Sequence, residues 1–187
     1  MTFRVLPAAA FLLLSAALTQ AHAADYYPHT SGTSWTYTSG ETQLVGTAVT
    51  YKGVRVVPVN HQYGGKTFTQ DLLEYRADGS VWLRGLNLSG KLLWYSTPLN
   101  VYPPGPLAPG QRWQSGNPTL GSAGRVTGSG AVRVPAGTYN ALVIRTDLTV
   151  GGQTSSQTTY FVPGLGVVRY APGNGSPVDL RALDLGK

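Results

Sequence analysis

The chain has 187 residues, with 14 Lys+Arg against 8 Asp+Glu, no Cys, 24 Gly, 13 Pro, 11 Tyr and 4 Trp. Charged residues make up 12%, about half the usual ~25%, which excludes a charge-rich disordered tail, a coiled coil or a long solvated helix. The absence of Cys excludes a disulfide scaffold, a Cys-type zinc site, an iron–sulfur cluster and a thiol nucleophile.

Residues 1–23 read as a secretory signal peptide. Arg4 supplies the positive n-region, Val5 to Leu18 the apolar h-region, and Ala21-His22-Ala23 the small-x-small cleavage pattern. The apolar run is shorter than the ~20 residues that span a bilayer. Taking Arg4 from the cations leaves 13 against 8 acids in residues 24–187, which are expected to form a single domain. All 24 Gly and 12 Pro lie in that part, and they punctuate rather than cluster. Ser39-Gly40, Lys52-Gly53, Gly64-Gly65, Asp78-Gly79, Ser89-Gly90 and Gly151-Gly152 read as hairpin turns, because Gly accepts the positive φ such turns demand. The runs between them are rich in Val, Thr, Tyr, Trp and Leu, which suit a pleated surface.

Val54–Tyr63 and Leu72–Leu88 are apolar on both parities, so both faces are expected to be covered there. Asp71–Arg76 has room for one short turn of helix at most. Thr97–Gln111, with Tyr102-Pro103-Pro104-Gly105-Pro106 and Pro109-Gly110, is the one long break and is expected to divide the sheet into halves. Gly32-x-x-Trp35 and Gly110-x-x-Trp113 echo each other across it, too briefly to count as a repeat. Gly124–Val134 and Tyr139–Val150 read as strands; in the second, Leu142, Ile144, Leu148 and Val150 form a dry face opposite Arg145, Asp147 and Thr149. Tight turns join antiparallel neighbours. The expectation is all-β: a single curved antiparallel sheet, half-barrel or barrel of about ten strands in mostly up-and-down order.

Three stretches carry a resemblance: Tyr26-Tyr27-Pro28 with Gly32-Thr33-Ser34-Trp35-Thr36-Tyr37; Val134-Pro135-Ala136-Gly137-Thr138-Tyr139; and Tyr160-Phe161-Val162-Pro163-Gly164-Leu165-Gly166-Val167-Val168. In this order they resemble uncharacterised bacterial secreted and envelope β-sheet proteins, distantly similar to the lipoprotein-carrier type of curved antiparallel sheet. The resemblance implies an envelope location and a curved sheet, and it brings no catalytic residues. A helix to plug the sheet, as the carriers have, is not recognisable.

No metal or other cofactor is expected. His29 and His61 stand 32 residues apart without ligand spacing, and the acids are scattered. No G-x-S-x-G occurs; His61, Asp71 and some Ser make a triad only on paper. Asp71 and Glu74, three apart on a strand, face opposite ways, so a carboxylate pair would have to come from separate strands. Isolated cations and an export address speak against nucleic acid; the positive charge suits anionic envelope polymers or lipid headgroups better.

The aromatics are the best binding candidates: Trp82, Arg84, Trp94, Tyr95 and Tyr102, with the loop to Pro109 as rim. A turn centred between Ser89 and Gly90 sets Trp94 opposite Gly85, which puts Trp82 and Trp94 on opposite faces unless a bulge at Gly85 brings them together. The functional expectation is a secreted or periplasmic, non-enzymatic envelope protein that binds an apolar small molecule, lipid or envelope polymer, or scaffolds an assembly. The alternative is an envelope hydrolase whose carboxylate pair assembles only in the fold.

Overall fold

The computed structural model describes residues 26–186, so the expected signal peptide lies outside the described residues. Among these there is no helix. Thirteen strands form one antiparallel sheet: β1 (Ser34–Tyr37), β2 (Glu41–Val45), β3 (Val49–Tyr51), β4 (Val54–Tyr63), β5 (Lys66–Tyr75), β6 (Val81–Leu88), β7 (Lys91–Tyr102), β8 (Arg112–Gly116), β9 (Leu120–Val134), β10 (Gly137–Val150), β11 (Gln153–Val162), β12 (Gly166–Pro172) and β13 (Val178–Asp184). The count exceeds the expected ten because strands as short as β1, β2, β3 and β8 carry too few residues to display alternation. Asp71–Arg76, read as a short helical turn at most, is strand up to Tyr75, at the end of β5.

The strand order is β7-β6-β5-β4-β2-β1-β13-β12-β11-β10-β9-β8, with β3 paired to β4 off this path. The sheet rolls into a nearly closed barrel whose end strands meet. Asn100 N donates to Ser115 Oγ at 2.6 Å, and Trp113 Nε1 donates to the Val101 carbonyl at 3.2 Å. The Pro-rich segment therefore bridges the seam between the two end strands, and the halves β1–β7 and β8–β13 are joined on the far side by the β1–β13 pairing. The break is also shorter than expected, because β7 continues to Tyr102. Pro98 fits in β7 because Tyr95–Pro98 has no partner in β6: the register passes from Leu83↔Leu99 directly to Gly85↔Trp94.

The short echo between the halves has a structural counterpart. Gly32 and Gly110 have φ of 90° and 89°. Gly32 N donates to the Val45 carbonyl and Val45 N to that of Thr33, while Gly110 N donates to Val126 and Val126 N to Gln111. Each half thus enters its first strand through the same glycine-dependent turn.

Core side chains fall into two groups. One joins Trp35, Tyr37, Val45 and Val57 to Val132, Val134, Ala141, Val168 and Leu180. The other comprises Tyr27, Val81, Leu107, Val126, Ile144 and Phe161. Full burial of each such side chain is worth about 1.5–3 kcal/mol. Val56 and Val57 are consecutive and both buried, so both faces of β4 are covered there, as its double-parity apolar pattern implies. In β10, Ile144 is buried but Leu148 and Val150 are exposed, because this long strand outruns the core. The segment before β1 closes one end of the barrel. Tyr27 is buried and donates to the Pro103 carbonyl at 2.9 Å, and Leu107 N donates to Tyr26 Oη at 2.9 Å.

Candidate functional site

Alternation along the strands decides which side chains enter the barrel. Val59 and His61 of β4, Asp71, Leu73 and Tyr75 of β5, and Val81 and Leu83 of β6 all point inward. With Trp35, Tyr37, Gln43, Val101, Phe161, Tyr170 and others they line a cavity of about 180 Å³. One end is an aromatic box. Tyr27 stacks on Tyr102 at 4.7 Å between ring centroids, and Phe161 lies 5.5 Å from the first and 5.3 Å from the second.

The tyrosine hydroxyls divide into two sets. Those of Tyr27 and Tyr37 donate to the carbonyls of Pro103 and Val167, both at 2.9 Å, and that of Tyr170 donates to Gln43 Oε1 at 3.3 Å. Burial raises the Tyr75 and Tyr102 hydroxyls far above the ordinary phenol range, and no hydrogen bond offsets it. These two are neutral donors available to a polar atom inside the cavity.

The other end carries charge. His61 Nδ1 sits 2.6 Å from Glu41 Oε1, and His61 Nε2 lies 3.2 Å from Asp71 Oδ2. The second contact is an ion pair whose geometry falls outside a hydrogen bond. Burial alone would lower the His61 pKa, but the Asp71 and Glu41 carboxylates outweigh it and hold it at about 10. The hydrogen bond to His61 lowers Glu41 against the opposing effect of burial, and Gln43 Nε2 at 3.2 Å assists. His61 is thus held as a cation between the side chains of Glu41 and Asp71. Register explains the meeting: Gln43 pairs with His61 and Asp71 with Val59, so Glu41 and Asp71 are diagonal neighbours of His61. His61 with Asp71 was legible as a paper combination. Glu41 was missed, because β3 intervenes between β2 and β4 and hides their register.

The five aromatic and Arg candidates separate. Tyr102 lines the cavity. Tyr95 lies in the unpaired stretch of β7, its hydroxyl raised by burial and by the nearby Asp71 charge. Trp82, Arg84 and Trp94 lie on the opposite, outer face. Trp94 does pair with Gly85, and the register shifts there, with Arg84 as the additional residue of β6. The bulge sets Trp82 and Trp94 on one face. Arg76 covers the Trp82 ring at 4.1 Å, Arg84 Nε bonds Glu74 Oε2 at 2.7 Å, and Trp94 packs on Tyr51 at 5.0 Å.

No group of three or more His, Cys, Asp or Glu among the described residues is arranged to hold a metal. No described helix is long and apolar enough to cross a membrane.

No family model and no curated protein matches the chain. Two solved structures are distantly similar, and the first of them shares its fold. One is a candidate exported protein with a YmcC-like fold from Bacteroides fragilis NCTC 9343, 16% identical, covering 85% of this chain and 98% of that one with a TM-score of 0.50. Another is a candidate lipoprotein from Parabacteroides distasonis ATCC 8503, 14% identical over the same shares, with a TM-score of 0.44. The fold is thus that of a distantly similar bacterial β protein, in line with the resemblance carried by the turn motifs.

Proposed function

We propose that this is an exported, non-enzymatic envelope protein that holds a small, mainly apolar ligand in the barrel cavity. The observation that carries the reading is the cavity itself: about 180 Å³, walled by aromatic and aliphatic side chains, with the Tyr75 and Tyr102 hydroxyls unspent. An apolar cavity of about 150 Å³ takes one benzene ring. This one suits a single ring or a short acyl segment with one polar atom. The His61 cluster marks the polar end.

The same cluster argues against hydrolysis. A general base must shed its proton near neutral pH, but His61 keeps its own up to about 10. A glycosidase acid needs a raised carboxyl pKa, whereas that of Glu41 is lowered.

Mass spectrometry of small molecules extracted from natively purified protein tests the reading. A compound of about six or seven heavy atoms is expected from the wild type, and much less of it from Leu83→Trp, which narrows the cavity. Equal recovery from both proteins would contradict it.

The outer-face aromatics support a second reading, a polymeric ligand laid across Trp82, Arg84 and Trp94, because Tyr51 beside Trp94 is exposed. Loss of co-sedimentation with insoluble cell-wall polymer in Trp94→Ala, with stability kept, is the expected outcome for that reading. Unchanged co-sedimentation would remove it.

A further inference from the structure

Arg112, Arg125 and Arg145 occupy one cross-strand row. Arg112 of β8 is directly opposite Arg125 of β9, and Arg125 is directly opposite Arg145 of β10. Directly opposed residues on one face have Cβ atoms about 4.5–5.5 Å apart, and like charges placed there are destabilising. All three are exposed. Arg145 is partly compensated: its Nε lies 3.3 Å from Asp147 Oδ1, and its Nη2 donates to Ser156 Oγ at 3.1 Å. Among the described residues, neither Arg112 nor Arg125 has a carboxylate within ion-pair distance. The next row on the same face is Gln114, Ala123 and Asp147. The small Ala123 leaves a hollow of about 290 Å³ lined by the three arginines, Gln114 and Asp147.

A row of three arginines with one acid carries an excess of two positive charges around a hollow with an amide on its rim. We infer that this outer face of β8–β10 binds a phosphate group, with Arg112 and Arg125 as its bidentate partners and Arg145, already tied to Asp147, as a third charge. Guanidinium forks match phosphate oxygens in geometry, and a bound dianion converts the repulsion along the row into attraction. Asp147 repels such an anion, and its ties to Arg145 and Ser156 hold it at the side of the hollow. The site is on the outside of the barrel and does not depend on the cavity reading.

The test combines thermal melts of the mature chain in inorganic phosphate with co-sedimentation on phosphatidylglycerol/phosphatidylcholine vesicles. Potassium chloride at matched ionic strength is the control. For the wild type, phosphate at tenfold its dissociation constant is expected to raise Tm by about 3–5 °C beyond the chloride control. Arg125→Gln and Arg112→Gln are each expected to raise Tm by about 1–3 °C in phosphate-free, low-salt buffer, since they relieve repulsion. Both are expected to lose the phosphate response. Vesicle binding that both variants lose assigns a lipid phosphodiester as the source, whereas a phosphate response without vesicle binding assigns free phosphate or a soluble phosphoester. The inference is overturned if both variants keep the wild-type response to phosphate and vesicles, if the wild type responds to neither, or if Arg125→Gln lowers Tm in phosphate-free buffer.

Discussion

His61 is the residue on which the electrostatics turn. Its folded pKa of about 10 lies above the ordinary value of 6.5, so its stabilisation is complete below about pH 6.5 and is lost as pH rises toward 10. Glu41 is shifted the other way; its contribution is present above its ordinary value of 4.5 and is lost as pH falls. Tm is therefore expected to peak near pH 5–6.5 and to decline already by about pH 8.5, before unfolded tyrosines ionise. In His61→Gln the alkaline decline should flatten; an equally steep decline would show that His61 is not its source. Gly85 is the other decisive residue. A Cβ there would lie 2.3 Å from the Leu93 carbonyl oxygen, so no side chain fits without moving backbone. Gly85→Ala is expected to cost about 1–3 kcal/mol in urea unfolding, and a neutral result would contradict the close approach. Gly85 was legible as a pivot, because turn counting alone set it opposite Trp94. The His61 cluster was not, because two of its three members meet only through the β2–β4 register.

At the scale of elements, the two terminal strands hold the halves together. β13 pairs with β1 and β12, and Thr33 Oγ1 donates to the Leu185 carbonyl at 2.8 Å. Deleting residues 178–187 is expected to abolish the cooperative urea transition, since both halves would then end in unpaired edges. Retention of a wild-type midpoint would show that the halves stand alone. The hairpins β4–β5, β6–β7 and β10–β11 were readable because a Gly-containing dipeptide falls between runs of the right composition. The β1–β13 pairing, with partners some 150 residues apart, leaves no local signal. The expected break began too early, at Thr97, for a related reason. Proline reads as a strand breaker, and only the unpaired stretch in β7 reveals where its missing donor is harmless.

At the scale of the whole molecule, the proposed ligand is held in the barrel cavity by burial and not by chemistry. The sequence pattern reaches the curved antiparallel sheet but not the cavity, whose size depends on how far the sheet closes and on Tyr27 plugging one end. The most direct measurement is a series of straight-chain primary alcohols, from butanol to decanol, titrated calorimetrically against wild type and Leu83→Trp. Each methylene buried contributes about 0.8 kcal/mol, or roughly fourfold in affinity. The cavity of about 180 Å³ predicts that this gain continues to about six or seven heavy atoms and then stops, with the hydroxyl served by Tyr75 or Tyr102. Leu83→Trp, which narrows the cavity, should weaken binding and stop the gain at a shorter chain. Saturable binding with no chain-length limit, or binding unchanged in Leu83→Trp, would place the ligand elsewhere and contradict the account.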